Sequence, residues 1–267
     1  MFAAGELPGY CAVVVKSAPA HGQESYEVRM DWGPSGASAV APGCAVVVVV
    51  DVLSFTTTLS VAMERGLRVF PFRVNDTAAA MEFAAARHAT LAVPRSKARP
   101  GEVSLSPHSV RTAPADLRGL VLPSPNGSTL SAQLTATVLG ASLRNRRAVA
   151  AWLLRERARQ PGLNVAVIAT GERWPDGALR PAVEDQWGAG AVLDALHEGG
   201  WLELSPEAAA AAASYRTMAE DVGVHLRACA SGRELIDSGY PEDVGIAAEL
   251  DLTDAVPVRR DGAFVRD

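Results

Sequence analysis

Residues 45–50 read Ala-Val-Val-Val-Val-Val and stop at Asp51. A β-branched run without polar alternation describes a strand covered on both faces, because a half-solvated strand would carry a polar side chain at every second position. Such a strand belongs in the middle of a sheet and requires helices on both sides of it. Shorter apolar runs recur at 67–72, 91–93, 120–122, 137–139 and 164–169, most of them followed by a stretch of helical period. This alternation predicts a layered α/β fold whose sheet is largely parallel, with helices on both faces.

Period and punctuation place helices at 56–65, ended by Gly66, at 78–88, at 143–160, ended by Pro161-Gly162, and at 184–198, ended by Gly199-Gly200. Residues 206–229 read as one long helical pattern, and Ser231-x-x-Glu234 has the spacing of a capping box. Near the start, residues 24–32 alternate like a strand and Gly33-Pro34-Ser35-Gly36 reads as a turn. The expected organisation is one α/β unit over residues 1–267, with two closely packed lobes, 1–160 and 161–267, as the alternative division.

The chain is 48% hydrophobic and 21% charged, within the ordinary globular range. Its net charge of −5 argues against a nucleic-acid partner, which draws on surplus Lys and Arg. Cys11, Cys44 and Cys229 form neither an even set nor a metal-ligand spacing, so they are expected as reduced thiols in a cytoplasmic protein. The N-terminal residues lack a basic signal-peptide region, and the apolar run 44–50 is too short to span a bilayer, so neither export nor a membrane anchor is expected.

In an open parallel sheet, ligands gather beyond the carboxyl ends of the strands, where helix N-termini present free N–H groups. Asp51 closes the most buried strand, and Ser54, Thr56, Thr57 and Thr58 open the next helix. Three consecutive threonines are poor helix formers, so their hydroxyls are candidates to donate to an oxyanion. The competing account makes Asp51 an N-cap and turns the threonines inward. The turn 122–129 holds Asn126, Gly127 and Ser128, whose amides suit a phosphate or simply cap a helix. Asn145, with Arg144, Arg146 and Arg147, follows the next strand, either as pocket or as solvated surface. Glu172, Glu184 and Asp185 flank a fourth turn, where acids either complement a helix dipole or, together with Asp51, form the oxygen-rich set that Mg²⁺ prefers. Arg95, Lys97 and Arg99 lie on a Gly/Pro-bearing loop that suits an anion-binding lid as well as plain surface. No G-x-S-x-G elbow or Ser-His-Asp set is present, and Leu53 stands where a D-x-D phosphatase needs its second Asp.

Taken together, Asp51-Val-Leu-x-x-Thr-Thr, Asn126-Gly-Ser, Ser142-x-x-Asn145 with Ala148-Val149, Glu184-Asp185 with Ala189-Gly190, Ser231-Gly-Arg-x-Leu235, Gly239 and Asp243-Val244 form ordered blocks from about residue 44 to Asp243. In that order the chain resembles the 2-phosphosulfolactate phosphatases. The resemblance implies Mg²⁺-dependent hydrolysis of a small anionic phosphomonoester, with a homodimer compatible with it. On that reading Asp51, Glu172, Glu184 and Asp185 are the metal candidates, and Asp51, Glu184 and Asp185 the catalytic ones, with Asp51 either holding metal or acting as nucleophile. Thr56, Thr57, Asn126, Gly127, Ser128, Asn145, Arg95 and Arg99 would bind substrate. The chain departs from the family's usual Arg-Ala at Ser54-Phe55 and from Gly-Asn-Ser-Pro at Ser104–Pro107, leaving Arg95 or Arg99 to supply a guanidinium. The alternative reading is an inactive anion-binding protein on the same scaffold.

Overall fold

A computed structural model describes residues 19–73, 77–99 and 101–267. Cys11 and the segment read above for an export signal lie outside them. The strands are β1 (Val28–Trp32), β2 (Val46–Val50), β3 (Arg68–Phe72), β4 (Thr90–Leu91), β5 (Gly119–Pro123), β6 (Thr137–Ala141), β7 (Val165–Ala169), β8 (Glu172–Arg173), β9 (Leu179–Arg180), β10 (Pro257–Arg260) and β11 (Ala263–Arg266). The helices are α1 (Gly33–Val40), α2 (Phe55–Glu64), α3 (Thr77–Ala85), α4 (Pro107–Thr112), α5 (Gly127–Gln133), α6 (Arg146–Arg159), α7 (Val183–Glu198), α8 (Pro206–Arg216), α9 (Val222–Ala228), α10 (Ala230–Asp237) and α11 (Pro241–Ala247).

The valine run is the central strand β2, paired in parallel with β6 on one side and β7 on the other. Its side chains alternate between two cores. Val46, Val48 and Val50 pack with residues of α6, α7 and α8, while Val47 and Val49 pack with α1 and α2. All five are buried, and each buried valine stabilises the fold by roughly 1.5–3 kcal/mol relative to exposure. That is why the run carries no polar alternation.

The main sheet runs β1-β7-β2-β6-β10-β11-β3-β5-β4. Its two parallel groups are joined by the antiparallel hairpin β10–β11, wedged between β6 and β3 by the pairings Val258 with Leu139 and Phe264 with Val69. The sheet is therefore largely parallel, as expected, with an antiparallel insert from the C-terminus. Pro161-Gly162 lies just before β7, which pairs between β1 and β2, so the chain on either side of it shares one sheet.

Three local expectations need correction. Gly33-Pro34-Ser35-Gly36 is not a free turn but the first turn of α1, with proline at its N-terminus, where the missing N–H costs nothing. The pattern 206–229 is not one helix: it breaks after Arg216, which ion-pairs with Asp194 at 2.6 Å, and Met218 then turns into the core. The cap of α10 is Cys229 rather than Ser231, with the Cys229 sulfur accepting from the Gly232 N–H at 3.3 Å. Among the described residues no helix is long and apolar enough to cross a membrane. Cys44 and Cys229 are free and buried.

Candidate active site

Beyond Val50 the chain folds back on itself, and the backbone claims the threonine hydroxyls. Thr56 Oγ1 donates to the Asp51 carbonyl at 2.7 Å and accepts from the Asp51 N–H at 3.0 Å. Thr57 Oγ1 donates to the Val52 carbonyl at 2.7 Å, and Thr58 Oγ1 to the Leu105 carbonyl at 3.1 Å. All three threonines are buried. They hold the turn that aims Asp51, with each hydroxyl donating to a main-chain carbonyl.

The Asp51 carboxylate accepts from the Phe55 N–H at 3.0 Å through Oδ1 and from the Gly127 N–H at 2.9 Å through Oδ2. The first turns of α2 and α5 thus converge on one carboxylate, each offering an N–H with no partner inside its own helix. Position 127 admits only glycine at this approach: a Cβ there would stand 2.7 Å from Asp51 Oδ2 and 2.5 Å from Phe55 Cδ1. Sequence distance hid this contact, since 76 residues separate the partners.

Three further carboxylates share the surroundings of Asp51. Asp185 accepts from the Val52 N–H at 2.7 Å through Oδ1, and from Thr170 Oγ1 at 3.1 Å and the Gly171 N–H at 2.9 Å through Oδ2. It ties the turn after β2 to the turn after β7. Glu172 Oε2 accepts from Asn126 Nδ2 at 2.9 Å. Glu184 is buried at the start of α7 beside the Cys229 thiol. Burial, and then the Glu184 charge, push that thiol up to about 12, which keeps it protonated.

Electrostatically Asp51, Glu172 and Asp185 respond to one another and to the Glu184 charge. Burial raises Asp51, against the pull of the Phe55 and Gly127 amides and the Arg95 charge, and the Glu184 charge adds to the rise. Burial followed by the Asp51 and Glu184 charges raises Asp185 well above the usual carboxylate range. Burial and then the Asp51 charge bring Glu172 to about 7. Like charges collected in a poorly solvated site repel, and an opposite charge entering the site would relieve them.

Two guanidiniums border the cluster. Arg95 Nη2 donates to Ser54 Oγ and to the Leu105 carbonyl, and Arg95 Nε donates to Asp243 Oδ2 at 3.1 Å. Asp243 is buried and also accepts from Ser106 Oγ and the His108 N–H. The Tyr240 hydroxyl donates to the Arg95 carbonyl at 2.8 Å. Arg95 is therefore held beside Ser54. Arg180, on β9, donates to Ser231 Oγ at 3.3 Å and its charge acts on Glu172. Local sequence reasoning did not nominate Arg180, Ser231, Cys229 or Asp243 as site residues. Ser231 and Asp243 were signalled only by the Ser231-Gly-Arg and Asp243-Val244 blocks, and Arg180 and Cys229 by neither, because α10, α11 and the β8–β9 hairpin reach the site only through tertiary packing.

Other candidates lie elsewhere or are otherwise engaged. Arg99 is exposed, with its own N–H donating to Glu102. Ser128 Oγ donates to the Leu122 carbonyl at 2.8 Å and accepts from the Phe72 N–H at 2.7 Å, which joins β3 to the start of α5. Asn145 accepts from the Ser142 N–H and donates to the Gly140 and Ala255 carbonyls, so its amide is spent on its own turn and the C-terminal segment. Arg144 is fully buried, paired with Glu64 and Glu249 at 2.9 Å each. Arg146 pairs with Asp251 at 3.0 Å, while Arg147 is exposed.

A cleft of about 280 Å³ opens beside the cluster, walled by Trp32, Asn126, Thr170, Glu172 and Leu179. Among the described residues no three His, Cys, Asp or Glu side chains already converge as a metal cage. The donor chemistry nevertheless fits a hard divalent cation: the acids offer oxygen only, and their mutual repulsion is what such an ion relieves.

The model of the family described as 2-phosphosulpholactate phosphatase matches residues 37–262. A 2-phosphosulfolactate phosphatase of Methanothermobacter thermautotrophicus is 29% identical over 220 residues, covering 82% of this chain and 89% of that protein. A probable 2-phosphosulfolactate phosphatase of Carboxydothermus hydrogenoformans is 30% identical over 221 residues, covering 79% and 84%, and one of Microcystis aeruginosa is 27% identical over 238 residues, covering 84% and 92%. The matched span runs from α1 to the β10–β11 turn and takes in Asp51, Arg95, Glu172, Glu184 and Asp243. With the match extending over the whole carboxylate cluster, the chain belongs to the 2-phosphosulfolactate phosphatase family.

Proposed function

We propose that this protein is a Mg²⁺-dependent hydrolase of small anionic phosphomonoesters, working at the carboxylate cluster around Asp51. The observation that carries the reading is the setting of Asp51, a buried carboxylate gripped by the Phe55 and Gly127 amides and flanked by Glu172, Glu184 and the fixed Arg95 guanidinium. The names of the relatives, all 2-phosphosulfolactate phosphatases or probable ones, support the same chemistry.

Asp51, Glu172 and Glu184 would hold the cation. Asp185, the fourth candidate, would join them while its oxygens, which accept from Val52, Thr170 and Gly171, also set the two strand-end turns. Bound Mg²⁺ supplies charge neutralisation at the phosphoryl oxygens and orientation of water. Arg95 adds a fixed positive charge for the anionic substrate, and its planar fork suits phosphate or carboxylate oxygens. It takes the place of the guanidinium that the family usually carries at position 54. The Asn126 amide holds Glu172 in one orientation, which pre-sets the site before substrate arrives.

The test is release of inorganic phosphate from a panel of small phospho-acids, 2-phosphosulfolactate included, with added Mg²⁺, for the wild type beside Asp51→Asn. The substitution keeps the volume and removes the charge. Expected are chelator-sensitive turnover in the wild type and a loss of kcat/KM of about a thousandfold in the variant with folding intact. Equal activity would reduce Asp51 to a helix cap. Binding of the same anions without turnover under any metal would support the inactive anion-binding alternative.

A further inference from the structure

A second chamber, of about 510 Å³, has Arg95 in its lining and none of the four carboxylates. Its walls are mostly apolar, with Phe72 at the end of β3, Leu91 at the end of β4, Leu105 and Pro123, while Arg73, Thr77 and Arg95 supply the polar lining. That size and lining fit the common pattern of small-molecule sites, which are concave and mostly apolar with a few fixed polar groups. The walls are held in place independently of any occupant. The Phe72 N–H donates to Ser128 Oγ at 2.7 Å, the Phe72 ring packs against Phe83 with centroids 5.1 Å apart, and Pro123 has little backbone freedom.

Of the two arginines in its lining, Arg73 and Arg95, Arg95 ties the chamber to the chemistry. Arg95 is locked by Asp243, Ser54 and the Leu105 carbonyl, and its charge acts on Asp51 while its side chain lines the chamber. Leu105, which lines the chamber, accepts from both Arg95 and Thr58 through its carbonyl. A ligand whose anionic group meets Arg95 therefore has apolar space immediately next to that group. A small acid bearing only phosphate, carboxylate and sulfonate would leave this space empty.

We propose that the chamber receives an alkyl or aryl group of the phosphoester, so that the substrates this protein prefers are phosphomonoesters of apolar-substituted 2-hydroxy acids. This rests on the phosphomonoesterase reading above and extends it to the substrate class.

The experiment has two parallel arms. One measures kcat/KM with Mg²⁺ for phosphate esters of 2-hydroxy acids whose side chain grows from methyl through hexyl to benzyl. The other measures Kd by calorimetry for non-hydrolysable alkylphosphonates of matching length. Each added methylene is expected to improve both quantities about three- to fourfold until the chamber is full. Thr77 lines the mouth and is exposed, outside the catalytic machinery. Thr77→Trp is expected to abolish the chain-length gain while leaving turnover of the methyl member unchanged. Turnover with no dependence on side-chain length overturns the chamber proposal and leaves the phosphatase reading standing. Length-dependent phosphonate binding without turnover does the reverse. If neither ester nor phosphonate engages, both fall, and if Thr77→Trp changes the oligomeric state on size-exclusion chromatography but not the length dependence, the chamber is an interface between copies instead.

Discussion

A side-chain hydroxyl at a helix N-terminus can serve a ligand or the backbone, and in this protein the backbone takes it at nearly every position. Thr56, Thr57 and Thr58 each spend their hydroxyl on a main-chain carbonyl, and Ser128, in the first turn of α5, bridges β3 to β5. The cause is burial: a hydroxyl removed from water without a partner costs about 1–3 kcal/mol, so each finds one close by. Ser128→Ala is accordingly expected to lower stability by about 1–3 kcal/mol in urea unfolding, because the Phe72 N–H loses its acceptor. KM for the phosphoester should move by less than about twofold, whereas a residue that binds substrate would raise it tenfold or more. Among the candidates, the carboxylates of Asp51, Glu172, Glu184 and Asp185, the Asn126 amide, the Gly127 N–H and the guanidinium of Arg95 are brought to one place. Asn145 and Arg99 are not, the first being enclosed in its own turn and the second facing solvent.

At the level of elements, polar networks far from the site hold the helices in register. Arg144, fully buried in the turn just before α6, reaches Glu64 at the end of α2 and Glu249 beyond α11, and Arg111 of α4 meets Glu249 in a two-point pair at 2.7 and 2.6 Å. Burial alone would raise Glu249, but hydrogen bonds from Arg111 and Arg144 outweigh it and hold the carboxyl below its ordinary value. A folded-state value below the unfolded one means the contribution is complete above the ordinary glutamate range, near pH 4.5, and is lost as pH falls through the lowered value. Glu249→Gln should therefore destabilise by about 1–3 kcal/mol at pH 7 and flatten the acid limb of the stability curve below about pH 4.5. Chemical denaturation across pH 3–7 checks this. An acid limb identical to that of the wild type would remove Glu249 from the account. Pairs of this kind join positions 80 to 138 residues apart, so local period could place α2 and α6 but not the contact between them.

For the molecule as a whole, the governing fact is that four acids from three turns collect at one end of a hydrophobic sheet. Their charges repel, and a cation that binds only the folded state stabilises it by mass action. Mg²⁺ at about a hundred times its Kd is expected to raise the melting temperature by roughly 5 °C, a shift absent in Asp51→Asn and reversed by chelation. Scanning calorimetry with and without the metal measures it without reference to turnover. An unchanged melting temperature over all Mg²⁺ concentrations would remove the cation from the site. The sequence by itself determined the doubly covered strand β2, the alternation that makes the sheet largely parallel, and the acids at strand ends, because burial pattern, period and turn chemistry are local properties. It did not disclose the β10–β11 hairpin, whose short strands carry no period of their own, nor the break at Met218, where core packing overrides helix propensity. Only the tertiary structure decided which polar groups face one another. It set Gly127 against Asp51, placed Arg95 beside Ser54 under the hold of Asp243, and turned the threonines inward, because those choices depend on distances between residues that sequence separation does not encode.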